Sequence, residues 1–128
     1  MAVDNTTILL IDDDPDDLLI FGLALKEIGD AVKLEYKDSC EEAIQALSEK
    51  AINPNYIFLD LNLPKMQGSE CLIHLKAMEH LSNTRIIIYT TSKRLLDKFD
   101  LMAKGADHYI SKTNTFADLV TKIKEVLN

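Results

Sequence analysis

The sequence predicts an α/β fold in which a parallel five-stranded sheet lies between helices on both of its faces. Apolar runs typical of strands alternate five times with segments that have the spacing of amphipathic helices. Such alternation implies right-handed crossover connections and therefore parallel strands. At 128 residues, without a linker rich in Pro, Gly or Ser, we expect one domain over residues 1–128 and no attached output domain.

Five strands are predicted from the apolar runs. They cover Ile8–Ile11, Val32–Tyr36, Tyr56–Leu59, Ile86–Tyr89 and His108–Ile110. The first, third and fourth are apolar throughout, as expected for strands that are buried on both faces. The second alternates apolar and polar residues, which indicates a half-exposed strand at the edge of the sheet.

Each predicted strand is followed by a predicted helix. The first helix runs from Pro15 to about Ile28, and the second begins with a capping box formed by Ser39 and Glu42. The third runs from about Ser69 to Met78, and the fourth from Lys93 to about Lys104. The fifth begins after a cap at Thr115 and continues through Leu127. Gly29 and Gly105 end the first and fourth helices. The apolar positions of the first three are Leu18, Leu19, Phe21, Leu25 and Ile28, then Ala43, Ile44 and Leu47, then Leu72, Ile73 and Leu75.

Composition narrows the possible functions. The net charge of −7, without a basic patch, argues against general binding to nucleic acids or anionic membranes. No apolar run has the length of a membrane span, and the N-terminus lacks a secretory signal, so we expect a cytoplasmic protein. Cys40 and Cys71 belong to no CxxC pair, which favours buried, reduced thiols over a zinc site or a disulfide.

The most informative segment is the run from Asp12 to Asp17, in which five of six residues are aspartates. A helix start explains part of it, because Asp14 can cap the helix and acids at positions 16 and 17 favour its positive end. It does not explain Asp12 and Asp13, which follow a buried strand. Adjacent carboxylates repel each other there, and a hard cation such as Mg²⁺ relieves the repulsion. We therefore predict a metal site at this pair.

Three further strands also end in chemically useful residues. Asp60 follows the third strand, Thr90 the fourth, and Lys112 lies just past the fifth. In a parallel sheet these ends converge on one crevice. Singly, such an aspartate is more often a turn residue and such a lysine a surface group. Together with an acidic metal site they indicate phosphoryl transfer, with one carboxylate free to attack.

The pattern resembles the receiver domain of two-component response regulators over essentially the whole chain. The segments that carry the resemblance are Ile8–Asp14, Phe58–Gly68, Ile87–Ser92 and Gly105–Lys112. The separations of 47, 30 and 22 residues between Asp13, Asp60, Thr90 and Lys112 are also similar to those of the family. The resemblance implies a flavodoxin-like (βα)5 three-layer sandwich with strand order 2-1-3-4-5, in a stand-alone regulator similar to chemotaxis regulators.

The resemblance also implies a role for each site residue. Asp60 is the expected phosphoacceptor, and Thr90 and Lys112 are expected to bind phosphoryl oxygens. Asp13 and Asp60 are expected to bind Mg²⁺ directly, Asp12 through water, and Asn62 through its backbone carbonyl. Tyr109 is the expected aromatic switch, which moves inward when Thr90 is drawn toward the phosphoryl group.

The implied partners are a histidine kinase or histidine phosphotransfer protein as donor and a downstream protein as target. The face formed by helix four, strand five and helix five is expected to change on phosphorylation, and a homodimer through it is one option. Direct binding to nucleic acid or a membrane is not expected. The domain is expected to accept and slowly hydrolyse its own phosphoryl group rather than to act as an enzyme on a diffusible substrate.

Three alternative functions share some of these features. A haloacid-dehalogenase-type enzyme needs a second acid two residues beyond the nucleophile, where this chain has Asn62. A calcium loop over residues 12–23 has Leu23 in place of the bidentate acid. A degenerate receiver that binds partners without phosphorylation stays open because Thr113 stands where the family commonly has proline, often after a cis peptide. Non-proline residues resist the cis form, so we expect a trans peptide or an altered loop there.

Overall fold

The computed structural model describes residues 5–91, 94–112 and 115–127. All strands of its single sheet run parallel, in the order β2-β1-β3-β4-β5, as the sequence predicted. The strands are β1 (Thr6–Ile11), β2 (Val32–Lys37), β3 (Tyr56–Leu59), β4 (Arg85–Thr90) and β5 (His108–Ser111). The half-exposed β2 lies at one edge of the sheet, which confirms its predicted place.

The helices are α1 (Pro15–Ile28), α2 (Cys40–Ser48), α3 (Gly68–Lys76), α4 (Leu95–Ala103) and α5 (Phe116–Leu127). A short 3₁₀ turn over Glu79–Leu81 follows α3 and explains why that helix ends earlier than predicted. The predicted start of α4 at Lys93 lies outside the described residues. Within the described part of the chain, none of the helices has the length and apolar character that a membrane span requires.

Capping by polar side chains fixes where three helices begin. The Asp14 carboxylate accepts a hydrogen bond from the backbone N–H of Asp16 at 2.9 Å. Ser39 accepts from the N–H of Glu42 at 3.2 Å, and Thr115 accepts from that of Asp118 at 3.2 Å. These contacts satisfy amide groups that have no partner inside the helix, and they confirm the predicted caps.

The sheet separates two apolar cores because successive side chains of a strand point to opposite faces. On β1, Ile8 and Leu10 belong to the core that contains residues of α1 and α5, whereas Leu9 and Ile11 belong to the core that contains residues of α2, α3 and α4. All four side chains are fully buried. β1 is therefore packed on both of its faces, which anchors the residues that follow it.

Two predicted helix positions face outward instead of inward. Ile73 was expected to point into the core, but 52% of its surface is exposed, and Leu19 in α1 is 62% exposed. The buried stripe of α3 passes through Cys71, Leu72 and Leu75. Ile73 lies about 100° around the helix from Leu72, on the solvent side. Ile44 of α2 is partly buried and packs against the core as predicted.

The prediction that Cys40 and Cys71 are reduced thiols is wrong, although both are fully buried as expected. They form a disulfide that joins the first residue of α2 to α3. The two helices pack side by side on the same face of the sheet, and this brings the two Cα atoms to 5.9 Å, within the range that a disulfide spans. A separation of 31 residues in sequence gave no indication of this proximity.

Candidate functional site

The carboxyl edge of the sheet brings the predicted site residues together. Backbone hydrogen bonds extend the parallel ladder one residue beyond three strands. Asp12 donates to the carbonyl of Lys37 at 3.1 Å, and Asp60 donates to that of Ile11 at 3.0 Å. Lys112 donates to the carbonyl of Thr90 at 2.8 Å. The backbones of Asp12, Asp60 and Lys112 are thus fixed by the sheet even though their side chains lie beyond it.

Three carboxylates form a compact acidic cluster. Asp12, Asp13 and Asp60 each offer one oxygen, and these oxygens all lie within 4.8 Å of one another. Asp12 is fully buried, Asp60 is 5% exposed, and Asp13 is open to solvent. One oxygen of Asp12 accepts from the N–H of Asp14 at 3.0 Å, and one of Asp60 accepts from that of Asn62 at 3.3 Å. These bonds orient the two buried carboxylates.

The donor set fits a divalent cation. It consists of anionic oxygens, which suit a hard ion such as Mg²⁺, and Asp13 leaves the cluster accessible from solvent. The burial of Asp12, assisted by the nearby charge of Asp60, raises the pKa of Asp12 to about 6, against the opposing effect of Lys112. The raised pKa shows that Lys112 alone does not fully compensate the buried negative charge.

Lys112 reaches the centre of this cluster. Its Nζ lies 2.6 Å from an oxygen of Asp12, 2.6 Å from an oxygen of Asp17 and 3.3 Å from an oxygen of Asp60. It also lies 5.1 Å from the centre of the Tyr89 ring. Burial favours the neutral amine, but hydrogen bonds to the first two carboxylates outweigh it and raise the pKa of Lys112 above its usual value. The residue is therefore a fixed cation at neutral pH.

Gly68, at the start of α3, allows the loop after β3 to fold back on Asp60. Its N–H donates to the carbonyl of Leu61 at 2.9 Å. A Cβ at this position would lie 2.6 Å from the Cα of Leu61 and would clash with the carbonyl oxygen of Asp60. At position 68 there is therefore room for the hydrogen atom of glycine but not for a Cβ.

Thr90 and Tyr109 occupy neighbouring strands near the site. Thr90 ends β4 and is fully buried, whereas Tyr109 on β5 is half-buried and packs against the core on the α2–α4 side. Ile88 is the neighbour of Tyr109 in the β4–β5 register, and Thr90 is the neighbour of Ser111. The two predicted switch residues are therefore close in the sheet but not directly paired across it.

Sequence reasoning missed the place of Asp17 in the site. Asp17 was explained by its position at the positive end of α1, yet it makes one of the two short contacts of Lys112. Helix geometry could have indicated this position, because the first turn of α1, which contains Asp17, follows directly after Asp12 and Asp13. Thr113, the predicted departure from the family, lies outside the described residues.

The family model of the response regulator receiver domain matches residues 8–124 of this chain. The chain belongs to this family. The resemblance inferred from the sequence and the flavodoxin-like fold are thereby confirmed.

Curated response regulators are similar to this chain in sequence. The nitrate/nitrite response regulator protein NarL of Escherichia coli K12 is 32% identical over 121 residues, which cover 93% of this chain and 53% of NarL. The chain spans about half the length of several curated relatives that it matches.

Two solved structures are also similar. The phosphorylated cyanobacterial phytochrome response regulator RcpA has a TM-score of 0.85 and 26% identity, with 95% of this chain and 91% of that chain covered. The Mn²⁺-bound form of response regulator Rcp1 has a TM-score of 0.83 and 27% identity, with 94% and 91% covered.

Proposed function

We propose that this receiver domain takes a phosphoryl group onto Asp60 in a reaction that depends on Mg²⁺. The observation that carries the proposal is that the Asp60 carboxylate belongs to a compact acidic cluster suited to a metal ion and lies 3.3 Å from the Nζ of Lys112. Two other proteins, RcpA in its phosphorylated form and Rcp1 in its Mn²⁺-bound form, share the fold.

Asp60 is the proposed nucleophile. One of its carboxylate oxygens attacks the phosphorus of a phosphohistidine on the donor, the O–P bond forms, the P–N bond breaks, and the imidazole leaves with the bonding electron pair. The N–H of Asn62, 3.3 Å from one oxygen of Asp60, helps to set which oxygen is presented. Lys112 and Thr90 then bind oxygens of the transferred group.

Asp13 and Asp60 would hold the Mg²⁺ directly and Asp12 through water, with the backbone carbonyl of Asn62 as the further protein ligand that the family resemblance implies. When bound, the ion draws negative charge from the phosphoryl oxygens and lowers the repulsion that an incoming phosphate meets. The protein supplies the orientation, because backbone hydrogen bonds hold both buried carboxylates.

Signalling is proposed to follow from a movement of Thr90. The fully buried Thr90 hydroxyl is drawn toward the phosphoryl group, and the half-buried Tyr109 ring fills the space that it leaves. The face formed by α4, β5 and α5 then exists in two arrangements, and phosphorylation biases them. Exposed apolar side chains of α4, among them Leu95, Leu96 and Phe99, give that face surface for a protein target or a second copy of the chain.

The proposed donor is a histidine kinase or a histidine phosphotransfer protein, and the proposed location is the cytoplasm, where ATP supplies the kinase. The proposed output is contact with another protein rather than with DNA, because the acidic chain lacks the positive charge that phosphate backbones require. The domain is proposed to accept and slowly hydrolyse its own acyl phosphate rather than to act as an enzyme that turns over a diffusible substrate.

The test uses acetyl phosphate as a small phosphodonor and intact mass as the readout. Wild-type protein in Mg²⁺ is expected to gain one phosphoryl group, and neither the Asp60→Asn variant nor a sample in EDTA is expected to gain it. Asp107→Asn is a matched control, since the carboxylate of Asp107 accepts from the N–H of Ile86 at 2.8 Å, away from the acidic cluster. Absence of the adduct, together with absence of beryllofluoride binding, would support the degenerate receiver instead.

A further inference from the structure

The contact between Lys112 and Asp17 is not needed for the phosphoryl transfer proposed above. The ammonium lies 2.6 Å from the carboxylate of Asp17, as close as it lies to Asp12. Asp17 belongs to the first turn of α1 and is outside the acidic cluster of Asp12, Asp13 and Asp60. Its carboxylate does not cap the helix, because Asp14 does so.

The pair is enclosed rather than solvated. The side chain of Lys112 is 7% exposed and that of Asp17 is 20% exposed. Both line a small cavity of about 190 Å³ whose other walls include Tyr89, Phe116 and Leu119. Apolar walls on one side and buried carboxylates on the other reduce the screening of this ion pair by water. The contact is consequently stronger than an ion pair on the open surface.

The donors of Lys112 are unevenly shared. An ammonium has three N–H groups, and two of them make short charged hydrogen bonds to Asp12 and Asp17. The distance to Asp60 is 3.3 Å, longer than the roughly 2.7–2.9 Å of a strong charged hydrogen bond. The third N–H is left for a group attached to Asp60, and a bond to that group would share the charge of the ammonium with the bonds to Asp12 and Asp17.

We infer that Asp17 is a positioning residue that holds Lys112 on the α1 side of the site and competes for it with the phosphoryl group on Asp60. This inference rests on the proposed function. Asp12 shares its charge with the metal cluster, whereas the charge of Asp17 is directed at Lys112. Asp17 thereby stabilises the unphosphorylated arrangement and opposes the phosphorylated one.

The alternative is that Asp17 acts only through the dipole of α1. In that case neutralising it would weaken the helix slightly and would not change how the site binds a phosphoryl mimic. Asp16 separates the two explanations, because it lies in the same helical turn with an exposed side chain. The Asp16→Asn variant loses the same charge near the helix end without touching the contact with Lys112.

The experiment measures the affinity for beryllofluoride, a phosphoryl mimic, by calorimetry at saturating Mg²⁺. Asp17→Asn is expected to bind about three- to tenfold more tightly than wild type, as expected when a partly buried ion pair no longer competes. Asp16→Asn is expected to stay within about twofold of wild type, and Asp17→Glu, which restores the charge, is expected to return toward wild-type affinity. Circular dichroism checks that each variant is folded, and Asp17→Ser replaces Asp17→Asn if the latter is not.

The failure of this inference and that of the proposed function give different results. If wild type binds beryllofluoride but Asp17→Asn binds no more tightly than Asp16→Asn, the competition by Asp17 is refuted and the phosphoacceptor proposal stands. If wild type itself binds no beryllofluoride, the proposed function fails, and the inference fails with it.

Discussion

Replacing Gly68 by alanine tests whether the close approach between α3 and Asp60 holds the site in shape. The new Cβ would lie 2.6 Å from the Cα of Leu61 and 2.9 Å from the carbonyl carbon of Asp60. Carbon atoms in normal contact are roughly 3.5–4.0 Å apart, so the backbone must move by about 1 Å. Overpacking of this kind costs about 1–3 kcal/mol, and rigid backbone atoms place the cost in the upper part of that range.

The same displacement reaches the proposed phosphoacceptor, because the peptide that must move belongs to Asp60. A shift of this size at a reacting group lowers rates by about a hundredfold. We therefore expect the Gly68→Ala variant to unfold at a lower urea concentration and to be labelled by acetyl phosphate much more slowly than wild type.

Gly22 provides the matched control. It lies inside α1, and a Cβ there would meet only the side chain of Leu34 at 3.9 Å, an ordinary contact. Since alanine favours a helix interior over glycine, the Gly22→Ala variant is expected to gain about 0.5–1 kcal/mol and to be labelled normally. If Gly68→Ala proves as stable and as reactive as Gly22→Ala, the steric reasoning about the β3–α3 loop is refuted.

Three further predictions concern charge, pH and the disulfide. The Lys112→Met variant leaves the buried carboxylates of Asp12 and Asp60 without their cation, and we expect its free energy of unfolding in urea at pH 8 to be lower by about 3–5 kcal/mol. At pH 5, where Asp12 takes up a proton, the loss should be smaller. An equal loss at both pH values would contradict the electrostatic explanation. Because the pKa of Asp12 is raised from 3.8 to about 6, protons compete with Mg²⁺ below about pH 6, and the Mg²⁺ affinity measured by calorimetry should fall there by up to about tenfold per pH unit. The metal-free protein, in contrast, gains stability from this group as the pH falls from 7 toward 4. A Mg²⁺ affinity that does not change between pH 7 and pH 5 would disprove this prediction. The Cys40→Ala variant lacks the disulfide between residues 31 apart, and we expect its free energy of unfolding to be lower by about 3–4 kcal/mol. Dithiothreitol should destabilise wild type but not the variant. Equal sensitivity of the two proteins to the reductant would count against the disulfide.

The fold was predictable because its signals are local and mutually consistent. The apolar run of β1 requires a place inside the sheet, the alternation in β2 requires an edge, and the caps at Asp14 and Ser39 mark helix starts that the structure reproduces. The convergence of Asp12, Asp60 and Lys112 followed from the parallel topology alone.

What could not be predicted depends on distances between segments that are remote in sequence. The disulfide depends on how α2 and α3 pack against one face of the sheet, and nothing near Cys40 or Cys71 encodes that distance. The contact of Asp17 with Lys112 was not predicted because a simpler explanation, the charge preference of a helix start, already accounted for this aspartate. The outward direction of Ile73 depends on the angle at which α3 meets the sheet.

The central claim is that Asp60, and neither of its acidic neighbours, accepts the phosphoryl group. Borohydride reduces an acyl phosphate to an alcohol, so treating the labelled protein converts the phosphorylated aspartate into homoserine, which peptide mass spectrometry can locate. We expect homoserine at position 60 in wild type and at no position in the Asp60→Asn variant. Homoserine at position 12 or 13, or label retained by Asp60→Asn, would contradict it.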